Sequence, residues 1–315
     1  MIYVVGLLVV LIISMIIVIR SADLFVDNLV ELGESLGISQ IILGVTASAI
    51  GTSLPEFGSA MIAILTGSSD VGVSVVIGSN IWNIAGILGI SAFVAGFIQT
   101  NRQELTRDGL MTLLTALILM GFMLLVDEIT STVAVILIGA YIVYLVILIR
   151  SERRNNKEDH KGSKTKISRK CILMALVGIV GLSIGCRIIV YSTVELADIA
   201  NIPGALAGIL LAFGTTAPEF FTVLTSAMKK LHGLSFGTVL GSNVFNIMIG
   251  LGVPALFMNI PIDPLSVMFD APVMVFVTVL LLLLTGRKMK LTRYAGLILV
   301  GVYVVYITTR ITLSI

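Results

Sequence analysis

Two glutamates, each in a long apolar stretch, are the residues of this 315-residue chain whose type and setting best suit chemistry. Glu56 lies in the sequence AIGTSLPEF and Glu219 in AFGTTAPEF, and their separation, 219 − 56, is 163 residues. Neither stretch contains a basic residue that would neutralise the charge. Because a carboxylate in apolar surroundings at membrane depth is costly, it usually marks an ion or substrate pathway. We therefore expect both glutamates to meet a cation.

A second motif follows each glutamate in the same register. GSNIWNI begins at Gly78 and GSNVFNI at Gly241, a separation of 241 − 78 = 163. In both copies the serine and the second asparagine are four residues apart, and so are the threonine and the glutamate of the first motif, which places each pair on one face of a helix. The polar residues selected by this spacing are Thr52, Thr215, Ser79, Ser242, Asn83 and Asn246.

A proline precedes each glutamate, at Pro55 and Pro218. Proline lacks an N–H and its ring displaces the carbonyl four residues earlier, so we expect each helix to break and free the carbonyl of Gly51 or Gly214. Free backbone at membrane depth is tolerated only where it lines a cavity or is buried in protein. Each broken helix therefore becomes a source of oxygen ligands.

The candidate ligand groups on these helix faces are carboxylate, hydroxyl, amide and main-chain carbonyl, and the faces carry no thiol or imidazole. Hard cations select such a set: Ca²⁺ takes about 6 to 8 oxygens, whereas transition metals favour cysteine and histidine. Two ionised glutamates also balance one divalent cation. The inventory indicates Ca²⁺, or an equivalent charge of Na⁺.

The elements that hold these residues are predicted to be membrane helices. Hydrophobic residues make up 57% of the chain and charged residues 12%, against roughly 25% charged in soluble domains. Ten apolar runs are long enough to cross a bilayer, which takes about 20 residues. We predict an all-α polytopic membrane protein with ten transmembrane helices, in a first repeat over residues 1–149, a basic linker over 150–170 and a second repeat over 171–315.

Five spans in each repeat make the second repeat enter the membrane from the opposite side, so the repeats are expected to be inverted. Inverted repeats with broken helices at matching positions are typical of secondary transporters with a site near the midplane. The linker holds nine Lys and Arg against three acids, which places it in the cytoplasm and both termini outside. The exception is the acidic segment from Asp23 to Glu34, which falls on the cytoplasmic side.

GTSLPE and GTTAPE, each followed by a GSN motif, resemble the paired repeats of the cation/calcium antiporter superfamily, in particular its prokaryotic Na⁺/Ca²⁺ exchanger branch. The resemblance covers nearly the whole chain except the linker. It implies Na⁺-driven Ca²⁺ transport by alternating access, with the second, third, seventh and eighth spans around the site. Some relatives carry an acid where this chain has Asn246, so the site here has one ionisable group fewer.

The resemblance also implies a role for each site residue. Glu56 and Glu219 would be the main Ca²⁺ ligands, and Asn83 and Asn246 would occupy the middle of the site. The remaining oxygens would come from the main-chain carbonyls of Thr52 and Thr215 beside Ca²⁺, and from Ser79, Ser242 and the carbonyls of Ala49 and Ala212 at flanking Na⁺ positions.

Other interpretations stay open at this point. The glutamates could carry protons instead, which would make the protein an H⁺/Ca²⁺ exchanger. The serines and asparagines could simply bond neighbouring helices together. An intramembrane hydrolase is disfavoured because the chain has no HExxH motif or nucleophile with a base, and a channel because of the inverted, broken helices. We expect no enzymatic activity, no cofactor besides the transported ions, no nucleic acid and no required protein partner.

Overall fold

The computed structural model describes residues 2–67, 69–159, 169–199 and 215–314, and it is almost entirely helical. The helices are α1 (Ile2–Leu36), α2 (Gln40–Thr52), α3 (Leu54–Leu65), α4 (Ser69–Ala95), α5 (Arg102–Leu125), α6 (Ser131–Asp159), α7 (Arg169–Ile199), α8 (Ala217–Met228), α9 (His232–Met248), α10 (Gly252–Ala255), α11 (Ser266–Gly286) and α12 (Arg293–Ser314). A wider π-helical turn is present in α2, α4, α5 and α11, at Gly44–Ser48, Trp82–Leu88, Leu105–Gly109 and Ser266–Asp270 respectively.

Eight of these helices are long and apolar enough to cross a membrane, and the bent pair α2 and α3 makes a ninth. The outer faces of the spans are covered with exposed leucine, isoleucine and valine, as in the case of Ile62 and Leu125. Apolar surface of this extent belongs in contact with lipid. The chain is a multi-span helical membrane protein, and the part of the predicted seventh span over 200–214 lies outside the described residues, as do 160–168 of the predicted linker.

Two short antiparallel strand pairs join loops from the two halves of the chain. Strand β1 (Phe97–Gln99) pairs with β4 (Lys290–Thr292), and β2 (Glu128–Ile129) pairs with β3 (Ile260–Pro261). Each pair combines two loops that the charge pattern places on the same side of the membrane. The pairs therefore tie the halves together at both ends of the helices.

The helices that carry the GSN motifs lie at the centre of the molecule. Over their most apolar stretches, 89% of the span His232–Ala255, which joins α9 and α10, and 78% of α4 is buried, against 17% to 39% for the other single spans. Helices α1 and α7 instead pack along each other and, with Leu43 and Leu234, form a second hydrophobic cluster. Among the described residues, none from α1 or α7 belongs to the main cluster. The fold thus has a central body and a separate helix pair beside it.

The acidic end of α1 has a partner from the second half. Lys229 Nζ lies 2.9 Å from Asp23 Oδ1 and 2.8 Å from Asp27 Oδ1. Burial alone would lower the pKa of Lys229, but the bonds to the two carboxylates outweigh it and raise that pKa. The segment that broke the charge rule in the sequence is therefore neutralised in part by a lysine expected on the same side.

Glycines allow α9 to approach α2 at backbone distance. A Cβ on Gly241 would lie 2.5 Å from the Val45 carbonyl oxygen, and one on Gly237 would lie 2.5 Å from that of Ile41. Real Cβ atoms do not come this close, and a main-chain oxygen held in a helix cannot move aside. The small residues at this crossing set the distance between the two helices, as is common in membranes.

We expect Gly241→Ala to lower the thermal unfolding temperature in detergent, with a loss of about 1–3 kcal/mol, the usual cost of overpacking a dense core. Gly301→Ala on α12 is the matched control, since its Cβ would meet no described atom within 4 Å. Unfolding temperatures measured by the fluorescence of a thiol-reactive dye would compare the two. Equal temperatures for both variants would mean that α9 and α2 can separate without loss.

Candidate ion-binding site

The helix break predicted from the prolines is present in the first half, and in the second half the described residues begin just before the helix that carries Pro218. The axes of α2 and α3 meet at a 46° bend at Ser53, and Pro55 lies in the first turn of α3. In the second half, Pro218 lies in the first turn of α8 after the cap residue Thr216. Glu56 and Glu219 follow directly, so each carboxylate lies in the first turn of a helix, where the helix dipole favours negative charge.

Both glutamates are buried, with 1% of each residue exposed. Their carboxyl groups lie close enough to interact with each other. When both are ionised, Glu56 Oε1 and Oε2 and Glu219 Oε2 have no hydrogen-bond partner among the described residues, and no lysine or arginine there forms an ion pair with them. Two buried, adjacent negative charges without compensation are stable only when a cation or a proton neutralises them.

The other buried carboxylates of the described chain show what a satisfied one looks like. Asp108 is bonded by Arg107 at 2.7 Å and by the Tyr144 hydroxyl at 3.1 Å. Asp270 likewise accepts from Arg310 at 3.0 Å and from Tyr306 at 3.0 Å. These aspartates have internal counter-charges and phenol donors, so they stabilise helix packing. By contrast, Glu56 and Glu219 have no such counter-charge among the described residues, as expected of carboxylates that bind a cation.

Ser53 brings the two halves together at the break. Its hydroxyl oxygen lies 2.6 Å from Glu219 Oε1 and 2.9 Å from the hydroxyl oxygen of Ser242. A serine has one hydroxyl hydrogen, so Ser53 can donate to only one of these oxygens at a time. The three oxygens form a compact polar cluster at one side of the glutamate pair.

The residues before the break offer both main-chain and hydroxyl oxygens. The Thr52 hydroxyl donates to the Ser48 carbonyl at 2.9 Å, and it also lies close enough to Glu219 to interact with that carboxyl group. Ala49 is fully buried, and its carbonyl accepts from Ser53 N at 3.0 Å with a second lone pair remaining. Thr215 is half-buried just before α8. Ala212 lies outside the described residues, so its predicted role is not tested.

The GSN helices bring their polar residues to the interior as the spacing predicted. Ser79 and Ser242 are 6% and 0% exposed, and Asn83 and Asn246 are 0% and 1% exposed. Asn83 Nδ2 donates to Asn243 Oδ1 at 3.0 Å, while Asn83 Oδ1 accepts no bond from a described residue. Neither polar atom of the Asn246 side chain has a partner in the described ranges. Two amide oxygens are therefore available to a cation.

Four further polar residues of this centre lie outside the four-residue spacing of the two motifs. Ser53 and Thr216 stand between the threonine and the proline of each motif, and both are buried at the helix break. Asn80 and Asn243 follow the motif serines and are also buried. The available signal was repetition, since each of these residues has a polar counterpart 163 positions away.

The assembled groups suit a hard cation coordinated mainly by oxygens of neutral groups. The described residues contain no group of three or more histidine, cysteine, aspartate or glutamate side chains that could hold a metal. Ligands beyond the glutamate pair must therefore be hydroxyl, amide or main-chain oxygens, which are the groups that gather around it. Ca²⁺ accepts such mixed shells, and softer metals do not favour them.

Several known proteins are similar to this chain in sequence, and a solved structure is similar to it in fold. The chain is 29% identical to the inner membrane protein YrbG of Escherichia coli (strain K12), over 96% of each protein. It is 25% identical to the sodium/calcium exchanger MaX1 of Methanosarcina acetivorans, over 95% of this chain and 96% of that protein. The solved structure of the sodium-calcium exchanger NCX_Mj, soaked with Na⁺ and Sr²⁺, superimposes with a TM-score of 0.83 at 26% identity, over 98% of both chains.

The family described as sodium/calcium exchanger protein matches residues 6–150 and 170–312, which is most of the chain on both sides of the linker. The match contains both glutamate motifs and both GSN motifs. A prokaryotic exchanger of this kind was expected from those motifs, and that expectation is confirmed. The chain belongs to the sodium/calcium exchanger family.

Proposed function

We propose that this protein exchanges Na⁺ for Ca²⁺ across the cell membrane by alternating access. The observation that carries the proposal is the pair of buried glutamates with three unpaired carboxylate oxygens in the described structure. Their two negative charges balance one Ca²⁺. Asn83 Oδ1 and Asn246 Oδ1 add neutral ligands without changing that balance.

The choice of Na⁺ over H⁺ as the driving ion is supported by the oxygens outside the glutamate pair. Protons would need only the two carboxylates. Ser53 and Ser242 lie beside Glu219 with the Ala49 carbonyl one turn away, and such uncharged oxygens cannot carry a proton but can coordinate Na⁺. We assign Ser79 and Ala212 to the corresponding position in the other half. No resident cofactor is needed, since the ions are the substrates.

We also propose ten spans in two inverted repeats, with the linker in the cytoplasm and both termini outside. The proposal is supported by the strand pairs, β1 with β4 and β2 with β3, which join loops on the same predicted side. The contact of Lys229 with Asp23 and Asp27 joins two segments predicted to be cytoplasmic. The separate packing of α1 and α7 is consistent with a helix pair that moves against the central body.

The experiment that tests the driving ion is ⁴⁵Ca²⁺ uptake into proteoliposomes under an imposed Na⁺ gradient, compared with an imposed pH gradient. We expect uptake to follow the Na⁺ gradient with pH clamped and K⁺ absent. Uptake driven only by the pH gradient would instead establish an H⁺/Ca²⁺ exchanger. If more than two Na⁺ move per Ca²⁺, uptake will also respond to voltage, at about 2.3 kcal/mol per charge and 100 mV.

A further inference from the structure

Two asparagines join the central helices across the repeat relationship. Asn80 on α4 and Asn243 on α9 are 163 residues apart, and each is buried. Asn80 Nδ2 donates to the Asn243 carbonyl at 3.2 Å, and Asn243 Nδ2 donates to the Asn80 carbonyl at 3.0 Å. This reciprocal pair treats both halves alike.

A third hydrogen bond is present in only one of the two symmetry-related positions of the described structure. Asn83 Nδ2 donates to Asn243 Oδ1 at 3.0 Å. The corresponding bond in the other half would run from Asn246 Nδ2 to Asn80 Oδ1. Within the described residues, both of these atoms are buried and have no partner. The unpaired donor and the unpaired acceptor are thus the two atoms that the corresponding bond would join.

The backbone differs at the same place. Asn83 lies within the π-helical turn Trp82–Leu88, whereas Asn246 lies in a regular helix that ends at Met248. The amide nitrogens of Ile249 and Gly250 then both bond to the Phe245 carbonyl. The asymmetry is therefore built into the main chain of both helices as well as into the side-chain bonds. Wide turns of this kind are frequent at functional sites.

We propose that Asn80 and Asn243 are positioning residues that hold one ion-site asparagine at a time. In the state seen here, Asn243 holds Asn83 with its Oδ1 atom free for the ion. In the opposite state, Asn80 holds Asn246 in the same way, and the Asn83–Asn243 bond is broken. The inference rests on the proposed alternating exchange, because inverted repeats interchange their conformations when the access side changes.

This exchange of the Asn83–Asn243 bond for an Asn246–Asn80 bond, here called the swap, couples the orientation of the ligand asparagine to the side of the membrane on which the site is open. Whichever asparagine is held has its nitrogen engaged and its carbonyl oxygen directed to the site. The total number of side-chain bonds is the same in both states, so neither state is favoured by this set of contacts. Removing one acceptor should therefore bias the equilibrium toward the state that uses the other acceptor.

The test compares Asn243→Leu with Asn80→Leu, which are close in size to asparagine. Each variant loses one bond of the reciprocal pair, so that loss is common to both. Asn243→Leu also removes the acceptor for Asn83, whereas Asn80→Leu removes the acceptor for Asn246. The two variants should therefore shift the equilibrium between the two states in opposite directions. The readout is the ratio of the KM for Ca²⁺ at the cytoplasmic face to that at the extracellular face, measured in vesicles of each orientation. Apparent affinity at one face follows the population of the state open to it.

We expect the ratio to move roughly fivefold in opposite directions in the two variants, the change that loss of one hydrogen bond typically produces. Thr278→Val is the control, since among the described residues its buried hydroxyl bonds to the Met274 carbonyl of its own helix and to no other group, and it should leave the ratio unchanged. If a leucine variant does not fold, Asn243→Ser and Asn80→Ser provide the same comparison with smaller side chains.

Shifts in the same direction, or no shift in either variant, would overturn the swap and leave the asparagines as helix-packing residues. That outcome is distinct from failure of the proposed function. If the wild-type protein moved no Ca²⁺ under either gradient, the exchange assignment itself would be wrong. If it moved Ca²⁺ only under a pH gradient, the KM ratio would still be measurable and the swap would still be tested.

Discussion

Glu56→Gln and Glu219→Gln should each reduce ⁴⁵Ca²⁺ uptake by at least roughly 100-fold while the protein still folds and inserts. Each change removes half of the charge that balances Ca²⁺ in a buried site. A loss of this size corresponds to about 2.7 kcal/mol, slightly less than the roughly 3–5 kcal/mol for breaking a buried charged pair, so 100-fold is a lower bound. Uptake into proteoliposomes under a Na⁺ gradient, normalised to reconstituted protein, is the measurement.

The folded state should tolerate both glutamine variants. Without a bound cation, the two glutamates lie adjacent, and an amide is easier to bury than an ionised carboxylate. Unfolding temperatures in ion-free detergent should therefore equal or exceed that of the wild type. Glu128→Gln is the control, since Glu128 is exposed and bonded to Asn259, and it should keep full uptake. A glutamine variant at either site position with wild-type uptake would refute the paired-ligand site.

The parts of the site that could be predicted from the sequence are those set by local rules. A proline within a helical run removes a main-chain hydrogen bond and displaces the carbonyl four residues earlier, so a bend next to Glu56 was expected from the chain alone. The burial of Asn83 and Asn246 followed from spacing on a helix inside apolar runs. The two copies of each motif supplied the pairing of Glu56 with Glu219, because repeats of one fold bring equivalent residues to equivalent places.

The parts that could not be predicted depend on contacts between the two halves. The role of Ser53 could not be predicted because its partners, Glu219 and Ser242, lie 166 and 189 residues away. Asn80 lies on a different helix face from the Ser79–Asn83 pair, so the four-residue spacing does not indicate it. The face that carries Asn80 meets α9, and the bond to Asn243 forms because both helices are central. A pattern within one segment carries no information about such crossings.

The span count shows the same division. Hydropathy predicts where a helix can cross, so eight single spans and one bent span appear where the apolar runs lie. It does not predict which helices are central. Helices α4 and α9, which carry the GSN motifs, lie in the main core, and α1 and α7 lie apart from it, although all four are apolar. Their different roles come from where glycines and polar residues let the helices approach.

Asn246→Asp should make transport strongly dependent on pH. The side chain is buried and has no partner in the described structure, and the proposed ion site places it beside Glu56 and Glu219, so the change would create a cluster of three carboxylates. Clustered like charges in a buried site hold a shared proton at a higher pH than one carboxylate does alone. As pH falls, the retained proton should compete with Na⁺ and Ca²⁺, and uptake should fail first on the acid side.

We expect this variant to lose uptake roughly tenfold more than the wild type between pH 8 and pH 6.5, and to recover it on return to pH 8, since a change of one pH unit is worth about 1.4 kcal/mol for one bound proton. The measurement is Na⁺-driven ⁴⁵Ca²⁺ uptake across that range. Asn83→Asp provides a contrast, because an ionised aspartate there cannot donate to Asn243, so part of its loss of uptake should be independent of pH. An Asn246→Asp profile that matches the wild type would place Asn246 outside the ion site, because a third carboxylate in contact with the ions cannot leave proton competition unchanged.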